Sequence, residues 1–448
     1  MSTKKSRCIA YSLIVILLIC ISIIYRFEFY KNYSDNNKYL PENLKNKIIV
    51  RLWMKDSVLS PTRGYQIEKF NKENKDNIYI MFTEYKEDYY NAIRTTFASE
   101  KGAPDIFEYG YTDLMRNKQV ASLNDIGFDT SNIDKSNIVR YKNMPLGVKL
   151  TETNAKMIWN KEILKESGLD PNKPPETYEQ LIAYSLKIKK KFPNITPFVF
   201  PFNQYDDMKI SIGEPSVNLG TIYTSFWNYD KGIYDFSYSK KILDVYNEMY
   251  RLNLIPKDFD QKSRNQIRSK FYQGNIAMMI SPFEDKGYFS NIMPLNFPVG
   301  IQNIIQTGKE DNIYYYVENQ NFLVVNKNSI KSNKEKEAIK KVYEFITSKD
   351  VNEEILETRY ALPVNLDTTK VKNDIYSEYN DVSKFRNEDY DPTIFLSRDS
   401  GYEMGLVSDA IKGKDSVNST IKKLDEKYKY YYKFAVDKEN FDFKYYKK

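Results

Sequence analysis

The order of apolar runs after residue 46 constrains this chain more than any other feature. "KIIVRLW", Lys47–Trp53, is short and rich in β-branched residues, which predicts a buried strand. A helical stretch carrying Tyr65, Ile67 and Phe70 follows, then a second strand, "IYIMFTEY", Ile78–Tyr85. Tyr89, Ile93 and Phe97 recur every four residues, which gives one apolar helix face. "APDIFEYG", Ala103–Gly110, supplies a third strand. Strand, helix, strand, helix, strand requires parallel crossovers and predicts an α/β lobe.

The pattern continues. "MPLGVKLTETNAKMIWNKEIL", Met144–Leu164, reads as two extended pieces around a polar patch. Thr177 with Gln180, Ser263 with Gln266 and Ser332 with Glu335 have the spacing of capping boxes. In "KFYQGNIAMMISPFEDKG", residues 270–287, Gly274 ends a helix and "IAMMIS" is a central buried strand. Open α/β sheets bind ligands outside the carboxyl ends of their strands, which is where Ser281, Pro282 and Phe283 arrive. The tail Lys427–Lys448 reads as the end of a surface helix followed by a frayed terminus.

Length and composition narrow the chemistry. The 448 residues suggest two or three domain-sized cores. No histidine is present, which removes the usual general base and zinc ligand. The only cysteines, Cys8 and Cys20, precede the body. Neither a phosphate-binding glycine loop nor an HExxH or GxSxG motif occurs, so no catalytic residue, metal or cofactor is expected. The net charge of +7 has no dense basic stripe, which argues against a nucleic-acid partner.

Ile9–Tyr25 is almost wholly apolar and follows Lys4, Lys5 and Arg7. At 1.5 Å per residue it reaches about 25 Å, enough to cross a thin bilayer. The basic flank places the N-terminus in the cytoplasm and the body on the extracellular face of the cell membrane. No small-x-small cleavage site follows, so an uncleaved anchor is expected rather than a removed signal; Cys20, preceded by Leu17-Leu18-Ile19, is a poor lipid acceptor.

Aromatic rings at strand ends are the candidate binding groups. Phe283 fits two readings: a core ring capping its strand, or a platform stacked on the apolar face of a sugar. Tyr109 and Tyr111 flank Gly110 after the third strand, and Trp53 ends the first with Lys55 and Asp56 just beyond. Trp227 lies in "TSFWNYDKG", whereas Trp159, inside an apolar strand, reads as core. Glu108, Asp113 and Glu152 could hold sugar hydroxyls, or in an aromatic box could take a polyamine.

Taken together, these segments resemble the extracellular solute-binding proteins of ABC importers, in the family that binds sugars and oligosaccharides. "APDIF" with "VASLNDI", "MIWNKEILKESGLDPNKPPETYEQL", "KFYQGNIAMMISPF", "FLVVNKNSIKSNKEKEAIKKVYEFITS", "TRYALPVN" and "AIKGKDSVNSTIKKL" carry the resemblance in family order, from about Lys47 to Tyr428. It implies an α/β, two-lobed periplasmic-binding-protein-like fold with a hinged cleft, preceded here by the membrane helix. The expected division is a flank and anchor at 1–30, a tether at 31–46, lobe one at 47–146 plus 314–352, and lobe two at 147–313 plus 353–448.

The implied function is capture of a carbohydrate and its delivery to ABC permease subunits, without enzymatic activity. A ligand sensor beside a membrane kinase and a binder of a non-sugar solute such as a polyamine are the alternatives. By the resemblance, Phe283 is similar to the aromatic that stacks on the sugar, with Ser281 in place of the family's usual glycine. Tyr109 is similar to the aromatic after the Pro-Asp strand, and Trp53 and Asp56 to contacts at the first strand's end. Trp227, Glu108 and Glu152 complete the expected ligand-binding set. Phe283→Ala should abolish the thermal shift that a sugar gives while leaving the melting point of the unliganded chain nearly unchanged.

Overall fold

The computed structural model describes residues 17–19, 44–86, 88–99, 102–108, 113–133, 135–216, 225–307, 315–364, 374–381, 385–387 and 392–447. Contacts divide the chain into two compact units. The first is Met1–Phe107 with Asn326–Tyr343, and the second is Glu108–Val325 with Glu344–Lys448.

In the first unit, β1 (Ile48–Lys55), α1 (Ser60–Glu73), β2 (Ile78–Tyr85), α2 (Tyr89–Ser99) and β3 (Ile106–Glu108) follow one another as expected. β1 lies between β2 and β3, parallel to both, with Trp53 opposite Thr83 and Phe107. Val50, Leu52, Ile80 and Ile106 are buried, and Ile93 and Phe97 of α2 are buried as well. Burying both faces of a parallel sheet is what the unbroken apolar runs require. Asn326 ties the returning chain to the loop before β3: its amide N–H donates to the Asp105 carbonyl (2.9 Å) and its Nδ2 to that of Pro104 (3.0 Å).

The second unit holds two larger sheets. β4 (Ile138–Tyr141) and β5 (Met144–Thr153) pair antiparallel, and β6 (Ala155–Asn160) leaves β5 after the single residue Asn154. Here α3 (Lys161–Glu166) starts on the Asn160 side chain, which accepts from Glu162 N–H and Ile163 N–H. Thr177 caps α4 (Tyr178–Lys191), which leads to β7 (Thr196–Val199). A two-stranded hairpin, β8 (Trp227–Asn228) and β9 (Ile233–Tyr234), precedes α5 (Lys240–Arg251). The Ser263–Gln266 capping box opens α6 (Arg264–Tyr272), and Gly274, at φ +71°, turns the chain into β10 (Ile276–Pro282). β11 (Val299–Asn303) completes a sheet of order β11-β6-β10-β7, in which every residue of β6 and β10 is buried. The other sheet sets β5 antiparallel to β12 (Tyr315–Val325) and to β13 (Leu362–Pro363).

Gly300 of β11 faces the Trp159 ring so closely that a Cβ would stand 2.0 Å from it. Trp159 is core, as expected, and its indole N–H donates to the Pro171 carbonyl (2.9 Å).

The tail differs from expectation. Beyond the helix Val417–Glu439, Phe441, Phe443 and Tyr446 are buried; Phe443 stacks on Tyr432 (3.9 Å, 15°) and Phe441 on Tyr446 (5.3 Å, 18°). Burying three large rings holds these residues against the second unit instead of letting them fray.

Among the described residues, no helix is long and apolar enough to cross a membrane. Apart from the short helical piece Leu17–Ile19, the expected anchor Ile9–Tyr25 lies outside the described residues.

Candidate functional site

In the first unit, the sequence delivers a group of aromatic rings to the carboxyl ends of β1 and β2. The Trp53 and Tyr85 ring centroids are 4.7 Å apart, with planes at 48°. Tyr85 also meets Tyr89 at 5.9 Å, and Tyr89 meets Tyr90 edge-on at 5.2 Å. The Tyr89 hydroxyl donates to the Trp53 carbonyl (3.2 Å), which fixes α2 against the strand end. Asp56 is half-buried beside these rings, with its N–H donating to the Tyr85 carbonyl (2.9 Å). Burial raises the Glu84 carboxyl above its usual range, and the Asp56 charge adds to that. Trp53 is 9% exposed and Tyr89 2%, so the surface of the group is chiefly the half-buried rings of Tyr85 and Tyr90, with the carboxylates of Asp56 and Glu84 nearby. Trp53 and Asp56 were expected here, but Tyr85 was not singled out, although the argument that points to Trp53 applies equally to the ring ending the neighbouring parallel strand.

In the second unit, β5, Asn154 and β6 carry an unusual buried polar run. Lys149, Thr151, Glu152, Thr153, Asn154 and Lys156 are all buried. Glu152 stands opposite Asn319 of β12 and Leu362 of β13. The Lys156 ammonium donates to Asn303 Oδ1 (2.7 Å) and the Asp381 carbonyl (2.9 Å). Burial pushes its pKa down to about 8, against the opposing pull of Asp381, Glu214 and Glu378.

Phe283 follows β10 and meets this run, because its N–H donates to the Asn154 carbonyl (2.7 Å). The ring is 1% exposed, in an apolar cluster with Ile158, Val199, Phe271, Met279, Leu362 and Tyr379. It is therefore a core ring in this structure, and the expectation that Phe283→Ala leaves stability untouched is corrected: the substitution would empty a packed cluster. Beneath it, the Ser281 hydroxyl donates to Asp285 (2.7 Å), which the buried Arg268 holds in an ion pair.

Glu152 and Phe283 thus meet through Asn154 and Leu362. Trp227 belongs to a separate core. It is 0% exposed, its indole N–H donates to the Tyr446 carbonyl (2.8 Å), and it packs on Tyr234 and Phe443. Every face of that indole is covered by protein, so the structure offers Trp227 as a packing residue. Glu108 ends β3 and is partly exposed. Tyr109, with Gly110 and Tyr111, lies outside the described residues. The sequence reading also missed Lys156 and Tyr379; a lysine inside an otherwise buried strand was the available signal for the first. Among the described residues, no group of His, Cys, Asp and Glu could hold a metal ion.

Comparison with known proteins places this architecture. The sugar-binding protein MalE from Xanthomonas citri superposes with a TM-score of 0.68 at 17% identity, covering 87% of this chain and 100% of that one. A sugar transporter from Bacillus licheniformis, solved in complex with stachyose, gives 0.60 at 19% identity, covering 85% and 99%. At these identities the likeness shows the fold, which is α/β and two-lobed. Among curated relatives, the sn-glycerol-3-phosphate-binding periplasmic protein UgpB of Escherichia coli K12 is 28% identical over 137 residues, covering 27% of this chain. The match spans only 31% of that relative's length. Residues 56–353 match the family model for bacterial extracellular solute-binding proteins, and the chain belongs to that family.

Proposed function

We propose that this protein is the extracytoplasmic substrate-binding component of an ABC transporter, capturing a carbohydrate between two lobes and handing it to a membrane permease. The observation that carries the reading is the Trp53–Tyr85 pair at the parallel strand ends, with Asp56 and Glu84 beside it. Such rings meet the C–H faces of a pyranose while carboxylates take its hydroxyls. The family and the sugar-binding folds that resemble the chain support it. The lobes run over 47–146 plus 314–352 and over 147–313 plus 353–448. Tyr109, Glu108 and Glu152 join the ligand set, and Phe283 joins it once its face is uncovered. Residues 9–25 tether the body to the cell membrane, which keeps the receptor near its permease.

A thermal-shift screen tests this with neutral oligosaccharides, polyamines, short peptides and sn-glycerol 3-phosphate. A ligand that binds only the folded chain raises its melting point by mass action. The expected hit is a neutral oligosaccharide; a response confined to polyamines, peptides or the phosphate would refute the carbohydrate assignment.

A further inference from the structure

The ring at the end of β10 already has an occupant. Tyr379 lies in the short helical turn Ser377–Asn380, is 1% exposed, and meets Phe283 edge to face with centroids 5.8 Å apart and planes at 84°. Its hydroxyl hydrogen-bonds Ser281, whose own proton is on Asp285, so Tyr379 is the donor. The surrounding backbone is held by the polar groups of the same region. Asn154 Nδ2 donates to the Tyr379 carbonyl (2.8 Å), and Lys156 donates to that of Asp381 (2.9 Å). The buried Lys286 donates to Asn380 Oδ1 (2.9 Å) and pairs with Asp374.

A ring set edge to face with Phe283, with its hydroxyl on Ser281 and further polar anchors around it, fills the space that a stacked pyranose and its hydroxyls would need there. We infer that residues 376–381 form an internal ligand mimic, which occupies the Phe283 platform in the unliganded protein and is displaced when solute binds. This rests on the reading of Phe283 as a ligand ring.

Two features suit a segment that leaves. Most of its anchors are hydrogen bonds and an ion pair that sugar hydroxyls or water can replace. Tyr376, which opens it, is held at φ +52°, a left-handed conformation disfavoured for a bulky residue and relaxed on release. A depression of about 580 Å³, whose lining includes Glu353, Leu356, Glu357, Arg359 and Asp374, lies beside the segment's start. The mimic lowers apparent affinity by the fraction of molecules in which it is displaced, so it raises the solute concentration needed for half-occupancy.

The test pairs two measurements on the full chain, with maltotriose, raffinose and stachyose as probes. Calorimetry compares the wild type with Tyr379→Ala, and hydrogen exchange follows residues 374–381 of the wild type with and without saturating sugar. Tyr379→Ala should bind about tenfold tighter or more, since a minor state is commonly populated at a tenth or less. Exchange in the segment should speed up on binding. Sugar binding to the wild type with exchange in 374–381 unchanged or slowed overturns the mimic and leaves the carbohydrate reading standing. Absence of binding to both proteins overturns both. If Tyr379→Ala fails to fold, the wild-type exchange result decides alone.

Discussion

Tyr379 stands edge to face on Phe283, their centroids 5.8 Å apart, and both rings are 1% exposed. That pairing makes Phe283 a structural residue of the unliganded protein as well as a proposed ligand platform. Phe283→Ala should therefore cost about 3–5 kcal/mol, the usual penalty for emptying a packed phenylalanine site. Denaturant unfolding of the unliganded variant checks this, and a midpoint equal to that of wild type would show that the cluster does not depend on the ring.

At the first unit's strand ends the proposed role in binding can be read directly, although Trp53, 9% exposed, also packs there. Trp53→Ala and Tyr85→Ala each remove one ring of a contacting pair. Each should weaken oligosaccharide binding about tenfold, corresponding to about 1.4 kcal/mol of lost stacking. Calorimetric titration of the two variants decides it; unchanged affinity in both would remove these rings from the site.

Lys156 should leave a signature in the pH dependence of stability. Its pKa is lowered to about 8 from the usual lysine value of 10.5, chiefly by burial. Below about pH 8 the ammonium is charged in the folded and the unfolded chain, and its burial penalty is fully present. Between pH 8 and 10.5 the unfolded chain keeps the proton that the folded chain releases. The contribution of this group to stability therefore rises with pH by up to about 3 kcal/mol. Buried tyrosines that titrate at higher pH mask this in the wild type alone, so the measurement is the stability difference between wild type and Lys156→Met. That difference should move in favour of wild type as pH climbs through the window; a flat difference refutes the depressed pKa.

Gly300→Ala tests the fit of β11 against β6. A methyl there would meet the Trp159 ring at 2.0 Å, a distance that forces the indole or the strand to shift. The expected loss is about 3 kcal/mol or more. Gly300→Ala combined with Trp159→Phe should be less harmful than the sum of the two changes, because the shorter ring frees space, and a double-mutant cycle measures that coupling.

Much of the fold was legible because its determinants are local. The capping pairs at Thr177 and Ser263, the glycine turn at Gly274 and the alternation of β1, α1, β2, α2 and β3 all follow from residues a few positions apart. Tyr65, named with Ile67 and Phe70 in the helical stretch that became α1, is 64% exposed, while Ile67 two residues on is buried. Positions two apart on a helix do not share a face. The fate of the strand-end rings was less legible because it is decided from afar. Phe283 could be platform or core until Tyr379 arrives, and Tyr379 reaches neighbouring Ser281 across 98 residues of chain. Trp227 is settled by Tyr446, 219 residues downstream. Strand-end position identified which rings to consider; whether each is covered depends on contacts that no short window contains.

The three tryptophans divide unevenly between burial and the proposed site. Trp159 and Trp227 are sealed, each with its indole N–H committed to a carbonyl, at Pro171 and Tyr446. Trp53, 9% exposed, alone stands at the strand end proposed to bind solute. On that proposal the protein carries an intrinsic optical probe: a change in its ultraviolet emission on mixing with solute would report chiefly on one indole, without any attached dye.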